Sequence, residues 1–218
     1  MVKIICLANS KKNGDRCIAG IDICTEKWIR PVSGTKDGSI SANKRLVNGK
    51  EPQLLDILDI TVDKTGEDFG FAAENLNIIP GQWQKVGQFV PNQLIKYCNN
   101  NLCVLHNAWK FVEVAFLKRL PFSQRKTIQL VYVEKLLIEW DEKKMKWRGS
   151  LNNKNSTILN GLPITDPKFI AALRSGYKPQ NPCLVTVSLS MPHNPYRIDN
   201  WAHGAVCWKL IAGVIELS

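Results

Sequence analysis

Short apolar runs, each ended by a turn signal, fill this chain, and long helical periodicity is scarce. That pattern excludes a helical bundle and points to many short strands joined by tight connections. Val2 to Ala8 is a nearly continuous apolar run, the signature of a strand buried on both faces. Asn13-Gly14 then supplies a strong tight-turn dipeptide, and the chain runs back from Arg16 to Cys24 as a second strand. Thr25-Glu26-Lys27 makes another turn before a short third strand, Trp28-Ile29-Arg30, which Pro31 closes. Two turns this close describe an antiparallel meander.

The polar stretch from Ser33 to Pro52 reads as a long loop and Leu54 to Val62 as a fourth strand. Ile78 and Ile79 suggest a short edge strand before Pro80-Gly81. Pro91 suits the first position of a helix running through Leu94, Ile95 and Cys98, and Asn99 to Asn101 stop it. Leu105, Trp109, Val112 and Phe116 have helical spacing, so residues 102–117 are read as helix, although Phe111 to Phe116 also alternates as a strand would. Thr127 to Trp140 reads as one long strand or two with a bulge. Asp141 to Lys144 is a hairpin turn and Met145 to Leu151 returns. Leu159 to Ile164 leads to Asp166, a helix cap, with Pro167 in the first turn and Gly176 at the end. Cys183 to Ser190 and Val206 to Leu217 are the last strands. Three segments follow: a barrel over 1–98 with a terminal helix, a partly helical linker over 99–126, and a second barrel over 127–218. Each half offers about five strands and one short helix, the ingredients of the oligonucleotide-binding (OB) barrel. The fold class expected is therefore mainly β, two tandem OB-like five-stranded barrels with short helices.

The chain has 218 residues, enough for two domains that each hold a core. The opening apolar run is too short for a signal peptide, and no stretch approaches the roughly 18 apolar residues of a membrane helix. Seven cysteines, an odd number without a C-x-x-C pair, read as free thiols in a reducing compartment, so the cytoplasm is expected. Cys98, Cys103 and His106 are near neighbours but lack the paired spacing of a zinc site, so no metal is expected. The net charge is +10, and residues 96–218 hold 17 Lys and Arg against 8 Asp and Glu, whereas residues 1–95 hold 12 against 11. A field that one-sided attracts phosphate polymers.

Several segments carry a family resemblance. ANSKKNGDRCIAG (Ala8 to Gly20), WIRPVS (Trp28 to Ser33), PQLLDILDI (Pro52 to Ile60), LPITDP (Leu162 to Pro167), LVTVSLSMP (Leu184 to Pro192) and CWKLIAGVIE (Cys207 to Glu216) occur in the order found in the bacterial dual OB-containing domain family, which the chain resembles over nearly its whole length. The resemblance implies two tandem OB barrels and a nucleic-acid-binding or nucleotide-sensing module linked to prokaryotic conflict systems. It implies no catalytic residues. Met191 to Ala205 is a long insert before the last strand.

Candidate binding residues fall in four places. Lys143, Lys144, Lys146 and Arg148, with Lys154 beyond, flank one predicted hairpin; alternation puts Trp147 on the face opposite Lys146 and Arg148. Lys118, Arg119, Arg125 and Lys126 lie in the linker, as a groove lining or as a solvated connector. The insert holds His193, Tyr196, Arg197, Trp201 and His203, with Trp201 a ligand contact or a pin for the loop. Lys11, Lys12 and Arg16 surround the first turn, a phosphate cradle without the pattern of a P-loop. Trp28 and Arg30 are candidates to join it, with Arg30 equally suited to an ion pair with Asp56 or Asp59. The three histidines sit in no triad or metallohydrolase spacing, and Asp56 and Asp59 face opposite sides of a strand. The expectation is a non-enzymatic module for nucleic acid, DNA or RNA, single-stranded and sequence-tolerant, without a cofactor. The alternative is a nucleotide sensor or an adaptor for a protein from the same operon.

Overall fold

The computed structural model describes residues 1–98, 103–153, 156–195 and 201–217. The first half contains β1 (Val2–Lys12), β2 (Asp15–Asp22), β3 (Trp28–Val32), the one-turn α1 (Ala42–Arg45), β4 (Asp56–Ile60), β5 (Asn75–Asn77) and β6 (Gln84–Gln88). Asn13 and Gly14 both take positive φ between β1 and β2, as a tight hairpin demands. β1 pairs antiparallel with β2 and with β4, β2 with β3, and β3 runs parallel to β5. An antiparallel bridge from Val62 to Ile78 closes β4 onto β5. The circuit β1-β2-β3-β5-β4-β1 is a closed five-stranded barrel with α1 between its third and fourth strands. β6, which the sequence pattern did not suggest, adds to the outer side of β4.

The second half repeats this circuit. A 3₁₀ turn (Pro91–Tyr97) leads to β7 (Phe111–Glu113), α2 (Val114–Arg119) and a second 3₁₀ turn (Phe122–Gln124). Then come β8 (Ile128–Val133), β9 (Lys135–Asp141), β10 (Lys146–Asn153), β11 (Ser156–Pro163), α3 (Pro167–Arg174), β12 (Cys183–Leu189) and β13 (Val206–Glu216). β8 and β9 are one strand bent at Glu134, so that β8 pairs with β12 while β9 pairs with β10. β10 pairs with β11, β12 with β13, and a parallel bridge from Ile164 to Ile211 closes the barrel. Again the third and fifth strands are parallel, and α3 follows the third. Asp166 caps α3 by accepting hydrogen bonds from the amides of Lys168 and Phe169.

Residues 103–117 differ from the helix expected over 102–117, whose first residue lies outside the described residues. Phe111–Glu113 pairs with β13 as an edge strand, and only Val114–Arg119 is helical. Val112 is buried in the second barrel's core and cross-strand pairing with Cys207 outweighs helical spacing. The segment read as a linker is thus partly a strand of the second barrel's sheet.

Alternation along β1 explains its unbroken apolar run. Ile4 and Cys6 point into the first barrel with Ile18, Leu58 and Ile60, while Ile5 and Leu7 point outward against Leu130, Leu184 and Ile215 of the second. The seam is tight enough that Thr186 Oγ1 donates to the Leu7 carbonyl at 2.7 Å. A Cβ on Gly213 would stand 2.4 Å from that same oxygen. The Lys11 amide also donates to the Thr165 carbonyl at 2.8 Å. The barrels therefore hold one fixed relation.

Candidate functional site

A cleft of about 1310 Å³ opens where the β1–β2 turn of the first barrel meets the outer face of β10 and β11 in the second. Strand alternation sorts the side chains of β10. Gly149 and Leu151 face the barrel interior beside Leu136 and Ile138, and Trp147 follows them inward to meet Trp140 edge-on at 5.2 Å. Lys146 and Arg148 must then face out, into the cleft. Lys144 in the β9–β10 turn, Lys110 before β7, Arg174 at the end of α3 and Lys11 from the first barrel join them. Among the described residues two carboxylates, Glu139 and Asp141, line the same space. Asp141 accepts from Arg148 Nε at 2.5 Å, and that bond holds its carboxyl below the usual carboxylate range. Arg148 also donates to the Gly161 carbonyl at 2.8 Å, so it is half spent on structure. Among the described residues Lys11, Lys110, Lys144, Lys146 and Arg174 are exposed and carry no ion pair.

A second lobe of about 600 Å³ continues the cleft, sharing Lys11, Asn13, Lys146, Ser190 and His193 with the first. Lys12 lines it, yet its ammonium is partly buried and donates to the Asp37 carbonyl; burial lowers its pKa. Asn13 Nδ2 donates to Asp37 Oδ2 at 2.7 Å, so the loop around Asp37 buttresses the turn that carries Lys11. His193 is exposed at the junction of the lobes, fixed by a two-way backbone bridge to Val206.

The other candidates lie in different surroundings. Arg30 lines the second lobe, yet it is 7% exposed and pairs with Glu74 at 3.9 Å, reaching Ser188 Oγ at 3.3 Å, rather than meeting Asp56 or Asp59. Glu74 in turn accepts from the Thr127 amide at 2.9 Å, so the network bridges the barrels. Asp56 pairs with Lys85 instead, at 2.5 Å. Trp28 packs into the seam between barrels. Arg16 faces away from the cleft toward Glu51, 4.0 Å off. Arg125 donates to the carbonyls of Leu120, Lys118 and Gly70, clipping the chain between barrels to the first one. Lys118, Arg119 and Lys126 are exposed but line none of the described cavities, and Lys143 stands on the hairpin tip outside the cleft wall. Lys154, Tyr196 and Arg197 lie outside the described residues.

Sequence reasoning missed two features. Trp109, Phe111 and Trp208 form, with Trp201 and His203, an aromatic cluster whose ring centroids lie 5.0–6.1 Å apart. Trp201 is a pin in this cluster, its Nε1 donating to the Gly204 carbonyl at 2.7 Å. The other feature is Lys209, fully buried, whose Nζ donates to Val104 O at 2.6 Å, Asn107 O at 2.7 Å and Asn107 Oδ1 at 2.9 Å. Burial pulls its pKa down to about 8, while three oxygens match the three protons of the ammonium. A lone lysine inside the apolar CWKLIAG run was the signal available for it.

Ligand cavities of OB barrels are built on the second and third strands with the loops joining strands one–two and four–five. Here β10, β11, the Lys144 turn and the His193 loop occupy those positions, so fold and cleft define a tandem OB-barrel protein with a basic face. The chain belongs to the dual OB-containing domain family, which it matches over residues 2–214. No curated protein matches it. No helix among the described residues is long and apolar enough to cross a membrane.

Proposed function

We propose that this protein is a non-enzymatic module that binds nucleic acid, as single strands and without strong sequence preference, along the cleft between its barrels. The observation that carries the reading is convergence: five exposed cations, Lys11, Lys110, Lys144, Lys146 and Arg174, with no ion pair among the described residues, come from both barrels to one concave surface. Cations so gathered displace counterions from a phosphate chain, which needs no base-specific contact. A concave cleft suits a flexible strand, whereas duplex readout calls for a helix or ribbon that enters a groove. Free thiols at all seven cysteines accord with work in the reducing cytoplasm. The reading extends to service in a prokaryotic defence system, the setting that the resemblance implies. Titrating a fluorescently labelled oligothymidylate at low and high salt tests the reading. Binding that weakens steeply with salt is expected, and no binding at low ionic strength would overturn it.

A separate cavity favours the second reading, a nucleotide sensor. About 670 Å³ lies at the seam, floored by Leu54, Leu55, Phe169 and Ile215 and edged by Arg16 and Lys168 together with Glu51, Asp166 and Glu216. Its size and its place between domains suit a small molecule. Saturable binding of a mononucleotide, lost on filling the cavity with Ala172→Trp, is the outcome that distinguishes this reading.

A further inference from the structure

The basic cleft runs into a slot of about 450 Å³, to which Lys110, Asn160 and Trp208 are common. Trp109, Phe111 and Trp208 form one wall, and Thr157 to Asn160 of β11 form the other. Trp109 is 53% exposed although its ring touches Phe111 and His203 at 5.4 and 5.3 Å. Pinning the insert is work that Trp201, His203 and Trp208 already do among themselves, so it does not account for an indole left half in water. The backbone at Trp109 is tied to the buried Lys209 through Asn107. Its amide donates to Asn107 Oδ1 at 3.1 Å, and the same oxygen accepts from the buried Lys209 ammonium at 2.9 Å. An aromatic face that is exposed, braced by Phe111 and His203 and adjacent to cations suits a flat π-system carried on an anionic chain.

We propose that this slot takes one unstacked base of the bound strand, stacked on Trp109, while the neighbouring phosphates lie on Lys110 and Lys146. The inference rests on the nucleic-acid reading and adds to it that the ligand must present an unpaired base at a defined distance from the phosphate track. Stacking on an aromatic side chain needs no hydrogen-bond code, so any base serves.

The test compares a labelled oligothymidylate with the same strand carrying abasic sites, against the wild-type protein, Trp109→Ala, Trp109→Phe and Lys146→Ala. The wild type is expected to prefer the base-bearing strand. Trp109→Ala is expected to lose about 5- to 150-fold on that strand and little on the abasic one. Trp109→Phe, which keeps a ring at an exposed position, restores part of the preference. Lys146→Ala weakens both strands alike. Equal, salt-sensitive binding of base-bearing and abasic strands by the wild type overturns the slot and leaves the phosphate track standing. Failure of every strand to bind at low salt overturns the nucleic-acid reading itself, and the slot with it.

Discussion

Alanine at both Lys144 and Lys146 removes two of the five exposed cleft cations that have no ion pair among the described residues, and the consequence is calculable. For single strands the logarithm of the binding constant falls with the logarithm of salt by about 0.7 per phosphate neutralised. If Lys11, Lys110, Lys144, Lys146 and Arg174 each meet one phosphate, the slope approaches about −3.5. Raising salt from about 50 to about 200 mM then weakens binding about 100-fold. The double variant should show a slope near −2.1 and a loss of only about 20-fold over the same range. Anisotropy titrations of a labelled oligothymidylate at several salt concentrations measure both slopes. Lys118→Ala with Arg119→Ala is the matched control, because those residues are equally charged and exposed but line no described cavity. Equal slopes for the two double variants would show that net charge, not the cleft, drives association. A wild-type slope near zero would refute the phosphate track altogether.

Three further outcomes follow from the packing. Gly213→Ala places a methyl 2.4 Å from the Leu7 carbonyl and should destabilise the protein by about 1–3 kcal/mol in urea melts; an unchanged melt would mean that the seam is looser than described. Asp166→Ala removes the cap of α3 and should cost about 1 kcal/mol by the same measurement, with no loss meaning that the cap is idle. Lys209 has a folded pKa of about 8 against its ordinary 10.5, so between those values the unfolded chain holds the extra proton and stability rises with pH. Relative to Lys209→Met, the wild type should therefore gain about 1–2 kcal/mol from pH 7.5 to 9.5; parallel pH profiles would contradict that burial.

What could be read from the residues was chiefly local. The double-sided burial of β1, the Asn13-Gly14 turn and the Asp166-Pro167 helix start each rest on chemistry within a few positions, and each stands in the structure. The cation cleft was legible only in part: alternation put Lys146 and Arg148 outward and Trp147 inward, but nothing local says that Lys11 crosses from one barrel to face them. Arg30 shows the converse. Beside Trp28 it suits a ligand or an ion pair with Asp56 or Asp59 equally well, yet its partner Glu74 comes from a distant connection that the parallel pairing of β3 with β5 brings near. Trp109 and Phe111 were hidden by a helical spacing that edge pairing with β13 overrode.

The seam between barrels is what joins the faces of two OB barrels into one cationic cleft. β1 is a strand of the first barrel and, through Ile5 and Leu7, part of the hydrophobic layer that covers the second. Its far end carries Lys11, and the Lys11 amide is itself bonded to Thr165 beside α3. The position of a cleft cation is thus set by the same strand that buries the seam, so stability and charge placement are coupled. A change that loosens the seam without touching any cation, such as Gly213→Ala, should then weaken strand binding as well as folding. The salt slope should fall by about 0.7, the share of the single cation that the first barrel contributes. Loss of stability with an unaltered slope would show that the second barrel binds alone and that the first serves some other end.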